Sequence, residues 1–588
     1  MIIQELVEYY ERLLDGGVEG IARFGWSTCR VRYVLDIDYE GNVLGLIPSE
    51  EKSGRFMVVP EQVEKTSKVV SNFMCDGLSY ILGVDKGAVT ERSVNCFEAS
   101  KESHLSLLSG VRSPIAEATC RFYSKWDPIR AFEVDSIRST LSDDKIGGNV
   151  VFSVCGEDAL FDSSIRDSWV KGFEKSLDDS EEMVCLVTGK KAPVRKSHPS
   201  VKGVAGSKTT GAKLVSFNEA AFESYGRTKG QGLNAPVSRY AAFAYSEALG
   251  YLLSSGNHRV RIGDTTIVYW GESRDEKSSD FLSALFSGGS IKDEGARRDA
   301  ERLVDDVMHR LSAGKPIPEF ELDENFFVLG LTPNASRLSV RFFHRDTFGN
   351  MLRNLNKHYE RISISHAPYE REYLTPYQLM AAVENPNATK PVISSQLGGS
   401  LMRSILCDLP YPEALYSNVL LRIRTSKDDE ERKTLKINRG RAAIIKAYLL
   451  RNRGRSEEEV TMELNEERND VPYVLGRAFS LLETVQEESS PGIKTTIKDR
   501  YFDTACANPS LVFPVVLKLH SHHMRKLKSD KPGLGIRYER MLEDALQLVP
   551  AFPKRLDLEE QGDFILGYYH QTRKRYEKAQ VKEADEKE

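Results

Sequence analysis

The 588-residue sequence has no run approaching the roughly 20 apolar residues that a membrane-spanning helix needs, so no span is expected. Its amino terminus, MIIQELVEYYERLLDG, places Glu5, Glu8 and Glu11 where a secretory leader would carry a basic end and then an apolar stretch. The chain is therefore expected to stay in the cytoplasm. Cysteine is sparse and scattered, at 29, 75, 96, 120, 155, 185, 407 and 506, with no C-x-x-C pair. That spacing excludes a disulfide framework and a zinc ribbon, and implies reduced, partly buried thiols. Nor does one charge sign dominate, since 81 basic and 86 acidic residues leave a formal charge of -5. Such an average is silent about nucleic acid, whose footprint is local clustering. Fixed-period repeats are missing, and the only low-complexity stretch is the charged tail QVKEADEKE.

What is present reads as an ordinary globular chain, 40% hydrophobic and 28% charged, and long enough for two to four domains. Gln4 to Leu14 has the spacing of an amphipathic helix, and Val31 to Asp36 with Asn42 to Ile47 predicts a hairpin closed near Glu40-Gly41. Strand-like runs recur at Asn149 to Val154, Met183 to Val187 and Thr265 to Trp270, with a helix over Val237 to Leu253. FFVLGLTPNASRLSVRFF predicts two strands joined by a Pro-Asn turn, followed by a helix from Thr347 to about Tyr359. Beyond Tyr373 only helical periodicity remains. The expected class is α+β, with a mixed α/β amino-terminal region and an all-α carboxy-terminal bundle. We place boundaries near 370, where SISHAPYEREYLTP carries two prolines, and at 461, giving regions 1–370, 371–461 and 462–588.

Positive charge is concentrated in two runs without an acid. The first, Gly189 to Lys213, is GKKAPVRKSHPSVKGVAGSKTTGAK, with Lys190, Lys191, Arg195, Lys196, Lys202, Lys208 and Lys213 among four glycines and two prolines. Such a segment makes a poor helix or strand and a good phosphate-gripping loop, its small residues from Gly206 to Gly211 letting backbone N–H groups approach a phosphate or a groove edge. A merely solvated loop would intersperse acids to limit self-repulsion. The second run, Arg432 to Arg455, sets nine basic residues beside Leu435, Ile437, Ile444, Ile445, Leu449 and Leu450, compatible with a helix that has one packed stripe and one cationic face. Arg439, Arg441, Lys446 and Arg451 would then track a nucleic-acid backbone, with a solvated face as the plain alternative. A shorter patch, HSHHMRKLKSDK, adds Arg525 and Lys526.

Catalytic constellations are lacking. GSKTTGAK fails the phosphate-loop spacing, because Gly211 is followed by Ala212-Lys213-Leu214. HRDTFGN at His344 has its asparagine one position too close for a kinase catalytic loop, and no glycine-rich loop accompanies it. His520, His522 and His523 stand among lysines that repel a cation, and His198 lies in a basic loop where donating a hydrogen bond is the commoner role than general-base work. No metal, cofactor or catalytic residue is expected; the residues argue for binding.

Long ordered runs carry a resemblance. CLVTGKKAPVRKSHPSVKGVAGSKTTGAKLVSFNEAAFESYG from Cys185 and NAPVSRYAAFAYSEALGYLL from Asn234 resemble the large subunit of type I-C Cascade, a CRISPR surveillance complex. So do VPEQVEKTSKVVSNFMCDGLSYILGV, FFVLGLTPNASRLSVRFFHRDTFGNMLRNLNKHY, YVLGRAFSLLETVQEES, TTIKDRYFDTACANPSLVFPVVLKLHSHHMRKL and EEQGDFILGYYHQ, spread over the whole chain. The resemblance implies a non-catalytic subunit that senses the protospacer-adjacent motif, wedges the adjoining duplex, stabilises the displaced strand and docks a helicase-nuclease. Its implied partners are the crRNA-bound backbone and crRNA-processing subunits, small subunits and target double-stranded DNA, with no membrane. Guide pairing then reads the remaining sequence. One departure stands out: the family carries a glutamine and two serines where this chain has Lys208, Thr209 and Thr210, and lysine donates without accepting. With Asn234, the two threonines are expected near the flanking motif. Lys65, Lys68 and Asn72 form a second surface, with Asn72 either reading a groove edge or serving as a turn or cap residue.

Two other readings stay open, a nucleic-acid-processing enzyme with a divergent active site and an assembly scaffold without DNA contact. The resemblance further implies a small subunit made by internal translation. Met462 is the expected start, because Glu457-Glu458-Glu459 are encoded by purine-rich triplets and Val460-Thr461 leave a two-codon spacer; Met402 and Met380 come next.

Overall fold

Val31, Tyr33, Leu35 and Ile37 recur with a period of two and turn one face of β1, Trp26–Ile37, into the core in the computed structural model. The structure describes residues 1–585 apart from 52–53, 64, 66–68, 143–145, 179–180, 218, 223–230, 274, 288–292, 386–394 and 430–433. It is an α+β chain divided into two compact units. The first comprises Met1–Gly203, Lys208–Ser254 and Ala335–Leu338; the second, Val204–Ser207, Ser255–Asn334 and Ser339–Glu588. No described helix is long and apolar enough to cross a membrane.

In the first unit, the central path of the sheet is β2-β1-β5-β4, with β2 Val43–Pro48, β4 Cys75–Gly77 and β5 Asn149–Val154. β3, Arg55–Pro60, also pairs with β1, and β6, Glu157–Asp158, with β5. The β1–β2 hairpin forms where the sequence predicts it, in register from Tyr33 opposite Pro48 to Ile37 opposite Val43. Helices Glu91–Leu108 and Pro114–Lys125 contribute Phe97, Phe122 and Tyr123 to the core beneath Val150 and Phe152. Complete burial of an aromatic or branched side chain of this kind contributes about 1.5–3 kcal/mol. β7, Glu182–Val184, and β8, Lys191–Pro193, make a small hairpin. β7 is shorter than the predicted Met183 to Val187, because the chain turns at Cys185, whose N–H donates to the Lys190 carbonyl at 2.9 Å. β9, Ser200–Val201, and β10, Ala212–Lys213, make another.

In the second unit, β11, Arg259–Ile262, β12, Thr265–Gly271, β13, Asn325–Asn334, and β14, Arg337–Thr347, whose first two residues belong to the first unit, lie in that order. Every described helix or strand after Tyr373 is a helix. The first begins at a capping box: Thr375 accepts the Gln378 N–H and Gln378 accepts the Thr375 N–H, with Pro376 pre-set for the first helical position. Helix Arg439–Arg453 packs on both Phe348–Ile362 and Leu558–Asp585. Segments on either side of 370 and 461 thus share one core. Helices Val471–Ser489 and Leu558–Asp585 approach closely, where a Cβ on Gly476 would collide with the Phe564 carbonyl and one on Gly567 with that of Tyr473.

Candidate nucleic-acid interface

The first basic run is two hairpins in succession. The turn between β7 and β8 holds Lys190 in solvent, and Lys191, which opens β8, is exposed beside it. Lys191 faces Glu182 at 3.2 Å, with both side chains largely exposed, a geometry that contributes little and is easily exchanged for a phosphate. The Cys185 thiol lies behind this turn. Burial pushes it up, but hydrogen bonds from Ser238 and Thr188 outweigh that and lower it to about 7.

The second hairpin presents the residues singled out for the flanking motif. Lys202, Lys208, Thr209 and Thr210 are all exposed, and none of their side chains has a hydrogen bond or ion pair to a described residue. Gly211 closes this tip: its N–H donates to the Lys208 carbonyl at 2.9 Å, its φ is +88°, and a Cβ there would sit 2.7 Å from the Val201 carbonyl oxygen. Only glycine meets both demands. Glycines of the run thus shape a turn that offers lysine and two hydroxyls to solvent.

Arg195, between the hairpins, and Lys213, in β10, are held. Arg195 lies 3.4 Å from Glu61, which also faces Arg239 at 3.6 Å, so one carboxylate is shared by two guanidiniums. Lys213 donates to Ser197 Oγ at 2.6 Å, while Lys196 is exposed. His198 is buried, with Nδ1 2.9 Å from the Tyr245 hydroxyl; burial, then Arg195 and Lys213, hold it down at about 4. It is a neutral core histidine rather than a base or a phosphate donor. Asn234 is half-buried in a turn beside the run, where a Cβ on Gly232 would stand 2.7 Å from the Arg195 carbonyl. The structure thus brings Gly232, two residues before Asn234, to Arg195 and Lys196.

The surface expected around Asn72 is corrected. Asn72 is buried: Oδ1 accepts the Val63 N–H at 2.8 Å, Nδ2 donates to Gln62 at 2.9 Å, and its N–H donates to Asp76 at 2.8 Å. With every polar group engaged, it braces a loop and does not face a groove. Lys65 pairs with buried Asp76 and stands 3.2 Å from the centre of the Tyr80 ring; burial lowers its ammonium, and Asp76 opposes the shift. Lys68 lies outside the described residues.

The family model described as CRISPR-associated protein (Cas_Csd1) matches residues 6–576. The chain belongs to the Cas_Csd1 family. A comparison with curated proteins gives no match. At this level the chain is a CRISPR-associated, Cascade-type subunit.

For this Cas_Csd1 chain the second basic run is also corrected, since the expected cationic face is inside. Arg439 donates to the carbonyls of Arg371 and Glu372, and Arg441 to those of Ala382 and Lys436 at 2.9 and 2.6 Å. Lys446 donates to Glu360 and Arg361 carbonyls at 3.2 and 3.1 Å. All three are buried, and burial lowers Arg441 to about 10 and Lys446 to about 8. Arg451 pairs with Asp408 at 3.4 Å. Ala382 lies in the last turn of helix Pro376–Val383, and Glu360 and Arg361 in that of Phe348–Ile362, so Arg441 and Lys446 satisfy carbonyls left open at helix ends, while Arg439 holds the segment between those helices. Arg432 and Lys433 lie outside the described residues.

Arg525 and Lys526 are exposed on helix Pro509–Asp530. On the same helix burial, then His523, lowers His520 to about 4, and His523 Nδ1 is 3.3 Å from Ser489 Oγ. No group of three potential metal ligands occurs among the described residues. Sequence reasoning missed Glu61 and Arg239, for no motif links Glu61 to an arginine 134 positions away.

Proposed function

We propose that this chain is the non-catalytic large subunit of a type I-C Cascade, gripping the DNA beside the target through the 189–213 segment and aiding duplex opening, R-loop formation and helicase-nuclease recruitment. The observation that carries this reading is the exposed Lys208-Thr209-Thr210 tip, with Lys190, Lys191, Lys196 and Lys202 also in solvent, on a member of a CRISPR-associated family. The ammonium group of Lys208 on a tight turn suits a phosphate, and neighbouring hydroxyls suit a base edge. Neutralising Lys190, Lys202 and Lys208 together in the assembled complex should flatten the log–log salt dependence of target-duplex binding by about 2 to 3 units. An unchanged slope refutes the loop's role. Digestion of target DNA by the purified chain in Mg²⁺ or Mn²⁺ would refute the non-catalytic reading.

The same reading assigns the helices after Met462 to a separately made small subunit lying along the displaced strand, where Arg525 and Lys526 would meet phosphates. Support comes from the mutual packing of Val471–Ser489, Pro509–Asp530, Pro532–Gln547 and Leu558–Asp585. Arg468, inside this segment, shares buried Asp563 with Arg455 outside it, so the segment retains one of that carboxylate's two cations. Recoding Met462 as a non-start residue, with the three Glu codons changed synonymously, should abolish the short product and leave the full chain. A short product that persists moves the start to Met402 or Met380, or elsewhere.

A further inference from the structure

Two cysteines that stand far apart in the sequence meet inside the first unit. Cys29 in β1 and Cys75 in β4 are separated by 46 positions, and their sulfurs lie 3.6 Å apart. Both are free thiols, and no other pair of described cysteine sulfurs is hydrogen-bonded. Position makes the two unequal. Cys29 is half-buried at the rim of the sheet's core and reachable from solvent, whereas Cys75 is fully buried within it. Electrostatics run the same way. The hydrogen bond with Cys75 holds the Cys29 thiol below its ordinary range, with Asn149 and the charge of Lys202 adding to it and burial and Asp76 opposing. That same hydrogen bond, then burial, pushes Cys75 up. One accessible sulfur that favours the thiolate therefore rests against one sealed sulfur that keeps its proton.

We propose that Cys29 and Cys75 are an oxidation site, a pair that hydrogen peroxide closes reversibly into a disulfide. The inference is independent of any nucleic-acid role. The Cys29 thiolate attacks one peroxide oxygen, the O–O bond breaks, the departing hydroxide takes up a proton to become water, and Cys29 is left as a sulfenic acid. The Cys75 sulfur then attacks the Cys29 sulfur. An S–S bond forms as the S–O bond breaks, and the departing hydroxide leaves with the Cys75 proton as a second water. Two electrons pass from the two thiols to one peroxide. From 3.6 Å, bonding distance is reached by a closure of about 1.5 Å, less than a single χ1 rotamer change moves a sulfur. β1 and β4 do not pair with each other, since β5 lies between them in the sheet order, so the bond adds a tie that the reduced sheet lacks. It also anchors to β1 the turn in which Asp76 accepts the Asn72 N–H and pairs with Lys65. Inert packing of two thiols is the plain alternative, and it gives no link.

The test treats the reduced full-length chain with a small excess of hydrogen peroxide, blocks the remaining thiols with N-ethylmaleimide in denaturant, digests without reductant and maps linked peptides by mass spectrometry. A peptide joining Cys29 to Cys75 should form about tenfold faster in the folded chain than in urea, because the fold holds the sulfurs together, and dithiothreitol should remove it. Cys75→Ser should leave a Cys29 sulfenic acid that dimedone traps, whereas Cys29→Ser should leave Cys75 unmodified. Thermal midpoints report the folding of both variants, and the wild-type map stands without them. Recovery of both cysteines as maleimide adducts after peroxide overturns the proposal. So does a link that forms no faster in the folded chain than in urea. Conversion of wild-type Cys29 to sulfinic acid with Cys75 unlinked overturns it as well, because the second sulfur then fails to reach the first.

Discussion

The two acid-free basic runs look alike as text and have opposite fates. From Gly189 to Lys213, most ammonium groups end in solvent, whereas from Arg439 to Lys446 the cations disappear into the second unit and bond to backbone carbonyls. Apolar content makes the difference. Ala442-Ala443-Ile444-Ile445 and Ala447-Tyr448-Leu449-Leu450 place hydrophobic surface all round the helix, and a helix apolar on every side is central to a core whatever charges it carries. In the first run, prolines and glycines prevent such an element from forming. Uniform sign is therefore a footprint for nucleic acid only where the backbone cannot bury it.

The largest effect expected from this comparison is on stability. Arg441→Ala removes donors from the Ala382 and Lys436 carbonyls in a dry site and leaves them unpaired, which should cost about 3 kcal/mol in urea unfolding. Lys208→Ala, in solvent, should change stability by no more than about 0.5 kcal/mol. Equal losses from the two substitutions would break the contrast.

Lys446 sharpens it through pH. Burial places the folded-state value at about 8, below the unfolded value near 10.4, so between these values the unfolded chain holds more protons. Stability from this group must then rise with pH across that window, by about 3 kcal/mol in total. Lys446→Met should abolish this rise in unfolding measured from pH 7.5 to 10.5. A slope that survives the substitution belongs to other groups and would mean that Lys446 is not desolvated.

Much of the scaffold was legible beforehand. The hairpin about Glu40-Gly41, strand Asn149–Val154, the β13–β14 pair and the helical remainder all follow from period-two alternation, turn residues and 3.6-residue spacing. The exposed tip at Lys208 to Gly211 was legible too, because a lysine, two threonines and a glycine offer nothing to bury. What escaped depends on distant partners. Asn72 is inside because Gln62, Val63 and Asp76 surround it, and Lys446 because the end of a helix some 85 residues earlier needs a donor. Neither relation leaves a local pattern.

A smaller effect concerns base preference at the tip. Thr209 and Thr210 follow Lys208 and are exposed at the tip, and a hydroxyl at a groove edge discriminates bases where an ammonium largely counts charge. Thr209→Ala with Thr210→Ala should narrow the affinity gap between preferred and disfavoured flanking sequences by about 1 to 2 kcal/mol, measured on a panel of target duplexes. Equal weakening on every flank would make the threonines positioning residues.

The smallest effect lies between the two extremes, at Glu61. Its carboxylate stands 3.4 Å from Arg195 and 3.6 Å from Arg239, where a phosphate would otherwise compete for the same guanidiniums. Arg195 and Arg239 are neither as free as Lys208 nor as sealed as Arg441, with 27% and 16% of their side chains exposed. Glu61→Gln keeps the shape and removes the charge, leaving both cations partly unbalanced. Non-specific duplex binding by the full chain should tighten about threefold, near 0.7 kcal/mol, and its salt slope should steepen by up to about one unit. Arg195→Gln in the same background should return the slope to that of the parent. If Glu61→Gln leaves both affinity and slope unchanged, partial burial is enough to silence an arginine, and the boundary between the two kinds of basic run falls at accessibility rather than at pairing.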